Sequence, residues 1–230
     1  MAHALECLVT GTDTGVGKTH VVSLLVRSLR AAGRQVWLHK PVACGDWDGE
    51  RAGDAITLAP LVGDGQDPAS LCRHQWPEAA SPHLAAAAAG DTVALSSLRQ
   101  EVSELRGEHD LIVEGAGGLL SPLSSDRGTL ADLAVALQLP LLLVTRPHLG
   151  TLNHTCLTVT HARACNIPLL GIVINHHEPV AESLATRTVA DELAQLTALP
   201  VLAELPHNAD SGHGDALAAA LLARHAAAPR

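Results

Sequence analysis

The segment that most constrains this chain covers residues 8–19, with the sequence L-V-T-G-T-D-T-G-V-G-K-T. The apolar run at its start predicts a buried strand, and Lys18 and Thr19 at its end predict the first residues of a helix. The glycines between them let backbone N–H groups converge on phosphate oxygens, and the helix N-terminus adds unpaired N–H groups and its positive dipole end. Lys18 is placed to reach the β- and γ-phosphates, and the Thr19 hydroxyl to bind Mg²⁺. The segment therefore predicts a phosphate-binding loop.

The loop departs from the general signature in its spacing. Gly11 and Gly17 have five residues between them, whereas the signature has four, so Thr12 stands where the first glycine is expected. The features that indicate a phosphate loop are therefore the tail G-V-G-K-T, the strand before it and the helix after it. Switch-type ATPases with related loops carry an additional lysine early in the loop, and here that position is Asp13. This residue disfavours a switch-type function.

Net charge and hydropathy exclude two classes of partner. The formal net charge of −9, with no cluster of Lys or Arg, argues against nucleic-acid binding. No apolar run approaches the length of about 18 residues that a membrane-spanning helix requires. The N-terminus enters a strand directly, without a charged and then apolar leader. We therefore expect neither nucleic acid nor membrane as a partner.

The cysteines and histidines predict a reducing compartment and no zinc. The five cysteines are odd in number and form no C-x-x-C pair, which is typical of reduced thiols in a cytoplasmic protein. The 14 histidines form no H-x-x-x-H pair, so we expect most of them at the surface. Because the chain has no Phe and no Tyr, its core must be largely aliphatic.

Short apolar runs alternate with helical patterns along the whole chain. Continuous apolar strands of this kind predict a parallel sheet with helices on both faces. The fold class is α/β, in one P-loop NTPase-like domain over residues 1–230. The predicted strands cover residues 5–9, 36–39, 111–113, 140–144, 169–174 and 201–203. The predicted helices cover residues 19–32, 98–105, 129–137, 151–164, 181–196 and 215–227.

Polar residues follow the ends of four predicted strands: Thr10, Lys40, Glu114 and Asn175. Ligands of open α/β sheets bind at the carboxyl ends of the strands, so these residues are expected to line one crevice. Lys40 there could neutralise charge on a transferring phosphoryl group, with a surface lysine at a strand end as the alternative.

Two carboxylates are candidates to complete a Mg²⁺ site with Thr19. Glu114 follows a buried strand, as the acidic residue of a nucleotide site does, and Asp54 begins a predicted helix. The alternatives are a solvated Glu114 and an Asp54 that serves only as a helix N-cap. The glycines after Glu114 allow backbone to approach a phosphate or a substrate closely.

A set of motifs in fixed order resembles the dethiobiotin synthetase family over essentially the whole chain. The residues that carry the resemblance are G-T-D-T-G-V-G-K-T at 11–19, K-P-V-A-C-G at 40–45, G-D-A at 53–55, S-P-H at 81–83, E-G-A-G-G at 114–118, L-G-T-L-N-H at 149–154, and a strand ending at Asn175. The five-residue glycine spacing is that of the family's own phosphate loop.

The resemblance implies an ATP- and Mg²⁺-dependent cyclo-ligase of biotin synthesis. Its substrates are 7,8-diaminononanoate, CO₂ (or bicarbonate) and ATP. One amine captures CO₂ as a carbamate, and a carbamate oxygen attacks the γ-phosphate to give a carbamic–phosphoric anhydride. The second amine then closes the ureido ring and expels phosphate, so catalysis is mainly positioning and charge neutralisation.

The resemblance also implies roles for individual residues. Lys18 and Lys40 are catalytic, and Thr19, Asp54 and Glu114 bind the metal. The nucleotide contacts are Thr14, Gly15, Val16, Gly17, Lys18, Thr19, His20, Asp54, Glu114, Gly115, Ala116, Gly117, Asn175, His176, Pro206, His207 and Asn208, and the substrate contacts are Thr14, Lys40, Cys44, Gly117, Thr151, Leu152 and Asn153.

Two of these positions depart from the family pattern. Cys44 stands where Ser or Thr is usual, and a thiol is a weak hydrogen-bond partner. His176 stands where Asp is common, which affects purine selectivity more than phosphate binding.

The helix predicted to begin at Gly150 bears on assembly. A helix N-terminus is a ready carboxylate site, and the family holds the substrate carboxylate at this helix start in the partner subunit of a homodimer. We carry that role over to Thr151, Leu152 and Asn153, which predicts composite active sites. The alternative is that Asn153 only caps its own helix.

Two other functions use the same fold. A cobyrinate-type amidoligase normally carries a glutaminase domain with a nucleophilic Cys, and this chain is too short to add one. A ParA/MinD-like ATPase switch is disfavoured by Asp13 and by the lack of a basic or amphipathic terminal anchor.

Overall fold

The computed structural model describes residues 4–179 and 182–227. Strands and helices alternate through most of the chain, as the apolar pattern predicts. The strands are β1 (Glu6–Gly11), β2 (Val36–His39), β3 (Val42–Cys44), β4 (His74–Trp76), β5 (Asp110–Gly118), β6 (Leu141–Thr145), β7 (Leu169–Asn175) and β8 (Val201–Leu205). The α-helices are α1 (Lys18–Ala31), α2 (Gly53–Leu58), α3 (Pro82–Ala88), α4 (Leu95–Glu104), α5 (Leu130–Leu137), α6 (Thr151–Ala164), α7 (Leu184–Thr197) and α8 (Ser211–Ala227).

The main sheet is parallel throughout and has the strand order β2-β5-β1-β6-β7-β8. Its central strands are apolar on both faces, and every residue of β6 is buried. This arrangement confirms the predicted parallel sheet. The pairing of β1 with β5 shifts register between Val9 and Gly11, where the phosphate loop leaves the sheet.

Helices cover both faces of this sheet, and its core is aliphatic. Along β5, Ile112 packs in the cluster that contains α1 and α8, whereas Leu111 and Val113 pack in the cluster that contains α4 and α5. Successive side chains of a strand point to opposite faces, so these two helix groups lie on opposite sides. Helices α6 and α7 pack over β6 and β7 in a third cluster.

A second, two-stranded parallel sheet of β3 and β4 was not predicted. Pro41 ends β2, as predicted, because it cannot donate to a ladder, and the chain then resumes pairing one residue later as β3. Strand β3 starts a separate layer beside the main sheet, which leaves Lys40 between the two.

Three helix starts differ from the predicted ones by more than one residue. Helix α4 begins at Leu95, three residues early, because Leu95 packs against the core. Helix α8 begins at Ser211, and Gly214 inside it lies so close to Ser28 that a Cβ would come within 2.5 Å of its Oγ. Helix α7 begins at Leu184 with Ser183 as its N-cap, and the predicted start at residue 181 lies outside the described residues.

Within the described part of the chain, no helix combines the length and the apolar character that crossing a bilayer requires.

Candidate functional site

The phosphate loop has the predicted strand–turn–helix geometry. Strand β1 ends at Gly11 and helix α1 begins at Lys18, with Gly15 and Gly17 at φ values of +73° and +84°. These are left-handed conformations that glycine adopts without a Cβ penalty. A Cβ on Gly17 would lie 2.0 Å from Nδ2 of Asn175, so the loop and the end of β7 are in direct contact.

Lys18 is nearly buried at the base of this loop, and its Nζ donates to the Asp13 carbonyl oxygen at 3.3 Å. Burial and, to a smaller extent, the positive charge of Lys40 lower the pKa of Lys18 to about 8, against the opposing effect of nearby carboxylates. An anionic phosphate bound beside Lys18 would therefore stabilise its charged form.

Thr19, Asp54 and Glu114 converge at the start of α1, although they are far apart in sequence. The Thr19 hydroxyl lies 2.7 Å from Oε1 of Glu114 and 3.0 Å from Oδ1 of Asp54. Oε2 of Glu114 is buried without a hydrogen-bond partner among the described residues. Two carboxylates and a hydroxyl are the oxygen donors that Mg²⁺ prefers, so these residues fit the ion.

The alternative role of Asp54 as a helix N-cap is wrong. The N-cap of α2 is Ala52, and Asp54 lies within the first turn with its carboxylate aimed at Lys40 and Thr19. Because Gly53 has no side chain, Asp46 packs directly on the helix start. A Cβ atom on Gly53 would lie only 2.6 Å from the Cβ of Asp46.

Lys40 is completely buried, which contradicts both the expected place at the crevice surface and the alternative of a surface lysine. Its Nζ lies 2.7 Å from Oε1 of Glu114 and 2.6 Å from Oδ2 of Asp54. Burial lowers the pKa of Lys40, but the charges of Glu114 and Asp54 outweigh it and hold the pKa above its ordinary value. Glu114 is also completely buried, and it lies inside β5, which continues to Gly118, so it neither follows the strand nor is solvated.

A cavity of about 650 Å³ opens beside these charges. It brings together five of the motifs that were recognised in the sequence. Its wall is formed by Thr14, Gly15, Gly17, Lys18, Thr19, Ala43, Cys44, Gly45, Asp46, Asp54, Ala79, Ala80, Ser81, Pro82, Ala116, Gly117 and Ser121. The contributions of Asp46, Ala79, Ala80 and Ser121 were missed, because nothing in their local sequence marks them.

Several predicted residues lie in or near this cavity, with different exposure. Cys44 is half-buried in the wall, and burial raises the pKa of its thiol to about 11, which keeps it protonated. Gly117 has φ +67° and contacts Ser121, and Gly115 packs against Leu130.

Thr10 lies outside the predicted crevice. Its side chain is completely buried, and its hydroxyl has no partner among the described residues. The expectation that Thr10 lines the crevice is therefore wrong, because Thr10 is still paired with Leu143 inside β1, which ends one residue later.

The predicted base-contact residues meet at the ends of β7 and β8. Asn175 is completely buried and donates from Nδ2 to the Val16 carbonyl oxygen at 3.0 Å, while its Oδ1 has no partner in the described part of the chain. His176 contacts Glu204 at 2.8 Å.

A shallow cavity of about 440 Å³ lies at this end of the sheet. It is lined by His176, Glu178, Pro179, Glu204, Pro206 and His207. Asn208 is exposed beside it, and His20 is exposed on the first turn of α1. Nδ1 of His207 lies 2.9 Å from the His177 carbonyl oxygen, although the two residues are 30 apart in sequence. The two base-contact segments are therefore adjacent in space.

The start of α6 is capped by Gly150 at φ +96°, so Asn153 is not the cap of its own helix. Asn153 is exposed and Leu152 packs partly into the third core cluster. The Thr151 side chain is turned inward, with its hydroxyl 2.6 Å from that of Thr145. The exposed side chains of Asn153 and His154 therefore lie beside the backbone N–H groups at this helix start.

Among residues 4–179 and 182–227, no group of three or more His, Cys, Asp and Glu side chains is arranged to hold a metal ion. A Mg²⁺ ion that keeps water and phosphate ligands uses only one or two carboxylates, so the Thr19 site does not require such a group.

Solved structures of several P-loop ATPases have the same fold. The ParA family ATPase from Chlorobium tepidum TLS has a TM-score of 0.56 at 11% identity, covering 98% of this chain and 99% of that one. The cobyrinic acid a,c-diamide synthase from Mycobacterium smegmatis, with bound ADP and magnesium, has a TM-score of 0.58 at 19% identity, covering 94% and 92%. At these identities the likeness shows the fold alone.

Sequence similarity is more specific. A family model described as an AAA domain matches residues 6–213. The ATP-dependent dethiobiotin synthetase BioD of Anaeromyxobacter dehalogenans (strain 2CP-C) is 42% identical over 203 residues, 88% of this chain and 90% of that protein. The protein of the same name from Bacillus cereus (strain G9842) is 36% identical over 199 residues, 86% and 81%. The chain therefore belongs to the ATP-dependent dethiobiotin synthetase family.

Proposed function

We propose that this chain, as one domain over residues 1–230, closes the ureido ring of dethiobiotin from 7,8-diaminononanoate and CO₂, with ATP and Mg²⁺. The observation that carries the proposal is the convergence of Lys18, Thr19, Lys40, Asp54 and Glu114 beside one cavity. These residues supply the cations and oxygen ligands that phosphoryl transfer to an anionic acceptor needs.

The reaction proceeds in three steps. One amine of the substrate attacks CO₂ and loses a proton, which gives a carbamate. A carbamate oxygen attacks the γ-phosphorus of ATP, and ADP leaves. The second amine then attacks the carbamate carbon and loses a proton, the bond from that carbon to the phosphorylated oxygen breaks, and inorganic phosphate leaves with that oxygen.

The residues of this chain act mainly by positioning and by neutralising charge. The backbone of the phosphate loop, with Thr14, holds the phosphates, and Lys18 contacts the transferring group. Lys40 is buried beside the cavity against Glu114 and Asp54, and it would hold the carbamate and γ-phosphate oxygens from there. Thr19, Asp54 and Glu114 would hold Mg²⁺, which when bound supplies positive charge beside the phosphate oxygens.

The nucleotide base would occupy the shallow cavity at the ends of β7 and β8. Asn175 has a buried Oδ1 without a partner in the described chain, which a donor on the base would satisfy. His176, Pro206, His207 and Asn208 would contact the base from the two sides.

The substrate carboxylate would be held at the start of α6 in the partner subunit of a homodimer. The N–H groups of Leu152 and Asn153 precede the first intrahelical bond, which runs from His154 N to the Gly150 carbonyl oxygen. Such N–H groups and the helix dipole favour a carboxylate. The odd number of cysteines fits a cytoplasmic location for this enzyme.

The direct test is incubation with 7,8-diaminononanoate, bicarbonate, Mg²⁺ and ATP, with detection of dethiobiotin by mass. Product must depend on all four components. Turnover of ATP without dethiobiotin would overturn the proposal.

Complementation tests the composite site. Lys18→Ala removes the phosphate contact, and Asn153→Asp places a like charge where the carboxylate would bind. Each variant should be nearly inactive alone. After subunit exchange, about half of the dimers are hybrids with one intact site of two, so about a quarter of the activity should return. Hybrid dimers, detected by tag pull-down, that recover no activity would exclude a shared site.

A further inference from the structure

A cluster of hydroxyl groups joins the phosphate loop to the start of α6. Thr145, at the end of β6, lies at its centre. Its Oγ1 lies 3.1 Å from that of Thr12, 2.6 Å from that of Thr151 and 3.3 Å from that of Thr155. Thr145 and Thr155 are completely buried, and Thr151 is 7% exposed. One buried hydroxyl therefore contacts both the loop and the first residue of the helix.

The three contacts use the full capacity of the Thr145 hydroxyl. A hydroxyl has one donor and two acceptor positions. Thr155 donates to Thr145, so Thr145 accepts a second bond from either Thr12 or Thr151 and donates to the other. The contacts of Thr145 with the loop and with the helix are consequently interdependent, because its hydroxyl donates to one of them and accepts from the other.

The loop member of the cluster is the residue that departs from the general phosphate-loop signature. Thr12 stands where that signature has glycine, and its backbone N–H also donates to the Val144 carbonyl oxygen at 3.0 Å. The side chain that glycine would lack is thus the one that reaches Thr145. Displacement of the loop on binding phosphate would act directly on the end of β6.

The helix member is equally constrained. The Thr151 N–H donates to the His148 carbonyl oxygen at 3.0 Å, and Gly150 offers no side chain to cap the helix. The Thr151 hydroxyl therefore provides the side-chain anchor of the first turn, and the turn presents the N–H groups of Leu152 and Asn153.

We propose that Thr145 is a positioning residue that couples the phosphate loop to the first turn of α6. Nucleotide bound at the loop then fixes the orientation of the Leu152 and Asn153 N–H groups. This inference rests on the proposed function, in which those groups bind the carboxylate of 7,8-diaminononanoate.

The test compares three variants by amide hydrogen exchange of residues 151–156, with and without Mg²⁺ and a non-hydrolysable ATP analogue. Thr145→Val removes the hydroxyl at nearly constant shape, and Thr145→Ser restores it. Thr155→Val is the matched control, because Thr155 is equally buried and contacts the same hydroxyl, but lies off the path from Thr12 to Thr151.

In the wild type the analogue should slow exchange in the first turn of α6. Thr145→Val should abolish that response and raise KM for 7,8-diaminononanoate about tenfold, with kcat changed less than about twofold, as the loss of the buried hydrogen bond that anchors Thr151 implies. Thr145→Ser and Thr155→Val should keep the response.

A wild type without any exchange response, or a Thr145→Val variant that responds as the wild type does, would overturn the inference whatever the activity. A clear response in a protein that forms no dethiobiotin would instead refute the proposed function and leave the coupling intact. Should Thr145→Val fail to fold, Thr151→Val removes the other end of the same contact and must give the same loss.

Discussion

Lys40 and Glu114 form an ion pair in which neither side chain is exposed to solvent, with Nζ 2.7 Å from Oε1. The same carboxylate oxygen accepts a hydrogen bond from the Thr19 hydroxyl at 2.7 Å. The first turn of α1, the end of β2 and the centre of β5 are therefore joined through one buried group. Catalytic and structural roles overlap at this point, so substitutions here affect stability as well as turnover.

Lys40→Ala should abolish turnover and also lower the free energy of unfolding by about 3–5 kcal/mol, because it leaves the charge of Glu114 buried without its partner. Denaturant unfolding measures the loss. The matched variant Lys40→Met with Glu114→Gln removes both charges and should recover most of the stability while remaining inactive. An unfolding free energy equal to that of the wild type in Lys40→Ala would contradict this account of the pair.

Asp54→Asn should move the Mg²⁺ dependence of the rate to much higher concentration, because it removes one of two carboxylates from the metal site. Its carboxylate is 47% exposed and does not cap α2, so the free energy of unfolding should change by less than about 1 kcal/mol. A metal titration and a denaturant titration separate the two effects. A titration with Mg²⁺ that matches the wild type would remove Asp54 from the site.

Gly17→Ala should weaken ATP binding by at least about tenfold, since the new Cβ would lie 2.0 Å from Nδ2 of Asn175 and the backbone has φ +84°. Gly33→Ala is the control, because Gly33 has φ +78° with nothing within 4 Å of its Cβ position. It should lose about 1 kcal/mol of stability through backbone strain alone and bind ATP normally. Calorimetry measures the Kd for ATP in each variant. Equal Kd values in the two variants would contradict the close approach of Gly17 to Asn175.

His39 should make stability depend on pH. Burial lowers the pKa of His39 from 6.5 to about 4. Between these values the unfolded chain binds a proton that the folded protein does not, so stability is complete above pH 6.5 and falls as the pH decreases toward 4.

Between pH 7 and pH 5, the wild type should therefore lose about 2 kcal/mol more than His39→Gln, in which the titrating ring is absent. Urea unfolding at the two pH values measures this difference. Parallel losses in the two proteins would show that His39 is protonated in the folded state.

The sheet and the phosphate loop could be predicted because their signals are local. A continuous apolar run such as β6 is typical of a buried parallel strand, and the glycines of the loop mark its turn. Strands β3 and β4 could not be predicted in the same way, since each has three residues and β4 reads H-Q-W. The start of α8 was hidden by Gly212 and Gly214, and glycine at position 214 is explained only by the close approach of α1.

The site was predicted as a set of residues but not as a geometry. The residue types of Lys40, Asp54 and Glu114 indicated charge neutralisation and metal binding, but the contact of Lys40 with Glu114 joins positions 74 apart in sequence. The burial of Lys40 depends on the second sheet, formed by β3 and β4 beside the main sheet. No local sequence pattern encodes that sheet. The contact of Thr145 with Thr12 likewise spans 133 residues and depends on strand order.

The central claim is that a carbamate oxygen, derived from CO₂, attacks the γ-phosphate of ATP. A single turnover with ¹⁸O-labelled bicarbonate, unlabelled water, 7,8-diaminononanoate, Mg²⁺ and ATP tests it directly, with mass analysis of the products. The account predicts one ¹⁸O atom in the released inorganic phosphate and one in the carbonyl of dethiobiotin. Unlabelled phosphate released together with labelled dethiobiotin would contradict it, because the carbamate oxygen would then never have bonded to phosphorus.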